Sequence, residues 1–142
     1  MKNFKLLLFI LIVFCNSSLY ALDENGNFET VEERDAYVMS ILKKVAKDLN
    51  EQTPILLDQE TKMMNVMVYL KTITINMQLL NYSSNEYNPF FIDHYIKEKV
   101  NSLACQNKGM QYFLNNGFKY MYVYTGRDGQ FITRVLIDKY EC

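Results

Sequence analysis

The sequence has little of what most chemistry is read from. Its 142 residues include one histidine, two prolines and no tryptophan. No Cys-x-x-Cys pair occurs, which argues against a catalytic dithiol. Asp128 lies in a glycine-flanked turn but lacks the ligand spacing of an EF-hand, and turn chemistry accounts for Gly126, Asp128 and Gly129. The lone histidine, His94, stands beside Asp93 and eleven residues before Cys105. A Cys-His nucleophile would need both groups at one pocket, so a surface histidine is the default. Asp58 and Glu60, with Asp93 and Glu98, offer carboxylates without a positioned partner, the usual pattern of a solvated surface. The expectation is a protein with no catalysis of its own, no cofactor and no metal.

Long apolar runs are also missing. The longest, Leu6 to Cys15, is about half of the ~20 residues a spanning helix requires. Lys2 and Lys5 precede it, Asn16, Ser17 and Ser18 follow, and Ala21 suits the last position before a cleavage. Residues 1–21 therefore read as a signal peptide and residues 22–142 as a single domain, periplasmic or secreted, with no membrane span after cleavage. A lipobox would want a small residue before Cys15; Phe14 stands there, so lipidation at Cys15 is the minor alternative.

Excess positive charge is absent too. Without residues 1–21 the chain carries 13 basic and 16 acidic side chains, a formal charge of −3. That balance argues against a nucleic-acid binder, which normally shows a basic face. Two cysteines then remain, Cys105 and Cys142, and an even count in an oxidising compartment reads as one disulfide, with free thiols as the alternative.

What is present is clear periodicity. Leu22 to Glu29 is a polar entry without period. Thr30 and Glu33 fit a capping box before a helix of about 20 residues whose apolar stripe is Val31, Val38, Ile41, Leu42, Val45 and Leu49. Pro54 opens an extended run, Ile55 to Leu57. From Thr61 to Leu80 the β-branched density predicts one strand, bent or bulged near Lys71. Asn81 to Pro89 reads as a polar loop, with Asn81-Tyr82-Ser83 matching a glycosylation triplet. Pro89 suits the first turn of a second helix reaching Cys105, with Ile92, Ile96, Val100 and Leu103 as its stripe. A short third helix, 108–115, stops at Asn116-Gly117. Two alternating runs flanking Gly126-Arg127-Asp128-Gly129 predict a closing hairpin. The fold class expected is α+β: an antiparallel sheet of about four strands with helices on one face, in the order α-β-β-α-α-β-β.

In that hairpin Phe118, Tyr120, Tyr122 and Tyr124 share one face. They form either core or, with Arg127 and Arg134, an interaction surface, since Tyr is enriched at interfaces. Met121 and Val123 make the opposite face apolar as well, which makes one of the two faces a candidate to be covered by a partner rather than by this chain.

Several of these residues together have a family look: Pro54-Ile55-Leu56-Leu57-Asp58 with Thr61 and the aliphatic strand after it, Cys105 in the second helix, Leu114 to Gly117 before an aromatic strand, Asp128-Gly129 and Cys142. The set resembles a group of small, uncharacterised exported proteins of Gram-negative bacteria. The resemblance spans nearly all of residues 22–142 and implies a periplasmic disulfide-bonded domain without implying an activity. The group is expected to end in Asp-Cys, whereas Glu141 precedes Cys142 here. The function expected from all of this is an accessory protein that contacts another protein of the envelope. The alternatives are an inhibitor or immunity protein using the loop Asn81 to Asn88 or the turn at Arg127, an anchored secretion-system component, and an enzyme without a recognisable motif.

Overall fold

The computed structural model describes Phe28 and residues 30–86 and 88–142; residues 1–21, which read as a signal peptide, and most of the entry segment lie outside the described residues. The elements run α1 (Val31–Asn50), β1 (Ile55–Leu56), β2 (Thr61–Tyr69), β3 (Thr72–Leu79), α2 (Pro89–Gln106), α3 (Lys108–Asn115), β4 (Lys119–Thr125) and β5 (Phe131–Ile137). The Thr30 hydroxyl accepts from the Glu33 N–H at 3.1 Å and starts α1, as its capping pattern predicts. Asn88 and Asn107 cap α2 and α3 in the same way.

The class is α+β, and the sheet has five strands in the order β1-β2-β3-β4-β5. Two expectations are corrected here. The run from Thr61 to Leu80 is a hairpin rather than one bent strand, turning at Leu70 and Lys71 with φ of 43° and 60°. Left-handed backbone of this kind is normally supplied by Gly, Asn or Asp, so two ordinary side chains hide the turn in the sequence. The sheet is also mixed rather than antiparallel, because β3 and β4 run parallel. Residues 80–118 between them carry α2 and α3, a crossover long enough to return the chain in the same direction.

Buried side chains mark one face of every long strand, with the bulge between Met63 and Asn65 shifting the parity in β2 and Thr74 of β3 buried on the other face. Met63, Val66, Ile73, Ile75, Met77, Tyr120, Tyr122, Tyr124, Val135 and Ile137 are buried, together with Val38, Ala46 and Leu49 of α1, Ile96, Val100 and Ala104 of α2, and Met110, Phe113 and Leu114 of α3. Helix α1 packs along β2, α2 along β5, and α3 against α2. The helices thus cover a single face of the sheet, and the core lies between the two layers. Val31 is the exception in the α1 stripe, being exposed at the helix's first turn.

Two ties fix the layers. Lys71 forms an ion pair with Asp35 of α1, donates to the Asn116 carbonyl at 3.2 Å, and lies 5.3 Å from the Phe118 ring centroid. Gly117, with φ of 80°, closes α3, and the Phe118 N–H returns to the Phe113 carbonyl at 3.0 Å. The second tie is the Cys105–Cys142 disulfide, which joins the end of α2 to the segment after β5 with a Cα–Cα distance of 5.2 Å.

Candidate interaction face

Among the described residues, no helix lies on the opposite face of the sheet. Strand register sets its side chains in rows. One row runs Met67, Thr74, Met121, Leu136 across four strands, and the next runs Asn65, Asn76, Val123, Arg134. Met67 is 54% exposed and Leu136 46%, while the smaller Thr74 is shielded between its neighbours. Tyr69 and Leu56 add exposed apolar area at the margins. The Asn76 amide donates to the Asn65 Oδ1 at 2.6 Å, fixing the polar row next to the apolar one. Among the described residues, the strands place Lys62, Lys119 and Arg134 on this face and contain no Asp or Glu. The result is an apolar band with basic borders.

The tyrosine ladder lies on the other side. Tyr120, Tyr122 and Tyr124 are 3%, 8% and 8% exposed, so as part of an interaction surface they are corrected: they are core beneath the helices. Their strand parity matches that of Ile73, Ile75 and Met77 on β3, the face the amphipathic helices need to bury. Loss of water pushes the Tyr122 phenol far up, and burial does the same for Tyr124, with smaller contributions from Tyr122 and Asp58. Of the two arginines in the same expectation, Arg134 does sit exposed on the helix-free face. Arg127 is engaged elsewhere.

Arg127 pins the loop after β3 to the closing hairpin. Its N–H donates to the Tyr82 carbonyl at 2.8 Å, its Nε donates to Ser83 Oγ at 2.9 Å, and its guanidinium pairs with Glu86. Beside it the Ser84 N–H and Oγ donate to Asp128 Oδ2 at 3.1 and 2.9 Å. Desolvation pushes the Asp128 carboxyl upward, but these bonds and that from the Gln130 N–H outweigh it and hold it below the ordinary range. A Cβ on Gly126 would come within 2.9 Å of the Tyr82 carbonyl, so only glycine lets the two segments close. The loop and the turn form one polar knot at the end of the sheet.

The remaining sequence candidates are scattered. His94 is exposed on α2. Asp93 pairs with Lys97 at 2.7 Å and accepts from the Thr133 hydroxyl; these bonds, that to Lys97 first, hold its carboxyl below the usual range. Asp58 accepts from the Glu60 N–H at 2.8 Å in its turn. Among the described residues no three His, Cys, Asp or Glu side chains are placed to hold a metal ion, and no helix is long and apolar enough to cross a membrane.

A feature the sequence did not single out lies at the β2 edge. Asn50, the last residue of α1, donates its amide to the Val66 carbonyl at 2.8 Å and accepts the Val66 N–H at 2.7 Å. Between α1 and this edge runs an open groove of about 510 Å³, lined by Lys43, Ala46, Lys47, Asn50, Glu51, Val66, Met67 and Val68. Its only sequence signal was the lysine-rich end of an otherwise amphipathic helix.

Solved structures share this architecture. The type II secretion system pilotin AspS from Vibrio cholerae superposes with a TM-score of 0.60 and 17% identity, covering 78% of this chain and 97% of that one. The pilotin EpsS of the Vibrio vulnificus type 2 secretion system gives 0.63 and 17%, covering 78% and 96%. A candidate secreted protein from Pseudomonas aeruginosa gives 0.61 and 18%, covering 76% and 95%. This chain shares its fold with these three proteins. At these identities the likeness is one of fold alone. No family model and no curated protein matches the sequence.

Proposed function

We propose that this protein is an exported, non-catalytic accessory protein that works by holding a segment of another envelope protein, in the manner of a secretion pilotin. The observation that carries the reading is the helix-free sheet face: Met67, Met121 and Leu136 form an apolar row bordered by Lys119 and Arg134, with no acid among the strands. A monomer gains nothing from such a row left in water, whereas a partner covering it would gain about 25 cal/mol for each Å² of apolar surface buried. The basic borders suit a segment with acidic flanks around an apolar stripe. The fold shared with two pilotins, along nearly their full lengths, supports a role of this kind.

The test uses the oxidised domain carrying a photo-reactive residue at Leu136 and, as a control, at the exposed Tyr140. Cross-linking in native envelope extract should give one dominant adduct from position 136 and none from 140. A Met67→Glu, Leu136→Glu variant that keeps its circular dichroism should lose that partner. Undiminished capture by that variant, or equal adducts from both positions, would rule this face out. Finding the mature N-terminus at Cys15 with an attached lipid would tie the role to a membrane-anchored component.

A further inference from the structure

The edge of β2 differs from the sheet face next to it. Strand β1 has two residues and pairs only with Lys62 and Met63, so among the described residues the second half of β2 has no strand on the side away from β3. Register then decides where the backbone of that half points. Tyr69 pairs with Thr72 across the two-residue turn, and Met67 pairs with Thr74. In a hairpin closed by two residues those are the hydrogen-bonded pairs, which leaves Val66 and Val68 with their N–H and C=O directed away from β3. For Val66 the outward groups meet the Asn50 carboxamide. That side chain donates and accepts as the peptide group of a neighbouring strand would. For Val68, among the described residues no side chain or loop takes up the outward groups.

We propose that this edge is a second docking site, one that takes up an extended, acidic segment of another protein as an added β-strand paired to Val68. Natural sheets usually blunt such an edge with a proline, a covering element or an inward charge. Here the helix stands off and leaves the groove. Its floor is Ala46, Val66 and Val68, while Met67 belongs to the opposite face of the sheet, so the side chains that an added strand sends to that opposite face would continue the apolar row that Met67 begins. Its helix side carries Lys43 and Lys47 against a single Glu51, and among the described residues neither lysine is in an ion pair. The remaining alternate positions of the incoming strand are therefore acidic. A second copy of this chain is the wrong occupant, because edge-to-edge pairing would set Lys43 and Lys47 against their own equivalents. The inference goes beyond the accessory reading and does not rest on it.

The probe is a nine-residue, end-capped peptide alternating valine with glutamate, added to the oxidised domain. Three results are expected. Exchange of the Val68 amide slows at least tenfold. Lys43→Glu with Lys47→Glu weakens binding at least tenfold, while Leu136→Glu leaves it unchanged. A peptide N-methylated at every second residue, on the edge that would face Val68, does not bind, although its side chains are the same. Absence of binding, binding indifferent to the lysine reversal, equal binding of the N-methylated peptide, or an unprotected Val68 amide would each overturn the proposal. Because the probe is synthetic, these outcomes are separate from whether a partner is captured on the sheet face.

Discussion

The side chain of Asn50 satisfies both backbone groups of Val66, at 2.8 and 2.7 Å, and so stands in for one residue of a strand that is not there. Replacing it by Ala removes both bonds and leaves a partly buried N–H and C=O to find water. A net bond is worth about 0.5–1.5 kcal/mol, so Asn50→Ala should lower unfolding free energy by about 1–3 kcal/mol in urea titration. Asn50→Asp keeps the acceptor but loses the donor, and should fall between the two. Equal stability of all three would show that the contact contributes nothing.

Leu70 occupies left-handed backbone, with φ of 43°, and is 74% exposed. The conformation costs an ordinary side chain about 1 kcal/mol that asparagine largely avoids, and the exposed leucine has little packing to lose. Leu70→Asn should therefore stabilise by about 0.5–1 kcal/mol, read as a higher urea midpoint with an unchanged slope. A lower midpoint would mean that the leucine packs in solution.

The Cys105–Cys142 bond spans a separation of 37 residues. By the loop-entropy relation it restricts the unfolded chain by about 4 kcal/mol. The Cys105→Ser, Cys142→Ser double variant should lose roughly that amount, and reductant should reproduce the loss in the unmodified protein but do nothing to the variant.

Tyr122 and Tyr124 are buried as neutral phenols, with ionisation pushed well above the ordinary value. The unfolded chain therefore releases these protons first, and stability falls as pH rises beyond about 10. Each phenol contributes up to about 1.4 kcal/mol per pH unit there. Tyr122→Phe with Tyr124→Phe should flatten the alkaline limb of stability against pH and leave neutral pH within about 1–2 kcal/mol of the parent. An unchanged alkaline limb would refute it.

Asp35 behaves oppositely. Burial raises its pKa, but bonds from Lys71 and Arg34 with their charges outweigh that and hold it below 3.8. Its contribution is complete above the unfolded carboxylate value and is lost as pH falls through the lower folded one. Asp35→Asn should cost about 1 kcal/mol at pH 7, a modest figure for a partly solvated pair, and the gap from wild type should close toward pH 3. A gap that persists at pH 3 would assign the effect to packing.

Much of the fold is legible in the sequence because its helices carry their own punctuation. Thr30, Pro89 and Gly117 mark ends that the structure keeps, and alternation around Gly126 to Gly129 marks the closing hairpin. The hairpin at Leu70 and Lys71 was illegible because its backbone is held by tertiary ties, Lys71 to Asp35 and to Asn116, rather than by turn residues. The parallel seam was illegible for a related reason: β3 and β4 are both apolar on their helix side, and nothing local states the direction in which they meet. As for the site, Met121 and Val123 announced a second apolar face, but only the cross-strand rows join them to Met67 and Leu136. Asn50 and the β2 edge left no local trace, since a side chain 16 residues away completes the pairing.

The parallel pairing of β3 with β4 divides the chain as well as joining it. Before the seam, α1 and β1 to β3 close on themselves through hairpins; after it, α2, α3, β4 and β5 do the same and are bolted by the disulfide. Each half carries one side of the core, and neither can cover its own central strand alone. A protease cut between β3 and α2 would thus yield two fragments that still need each other, held by the seam and, for a cut after Glu86, by the Arg127–Glu86 and Ser84–Asp128 clasps as well. The molecule is built as a two-piece assembly that happens to be delivered on one thread.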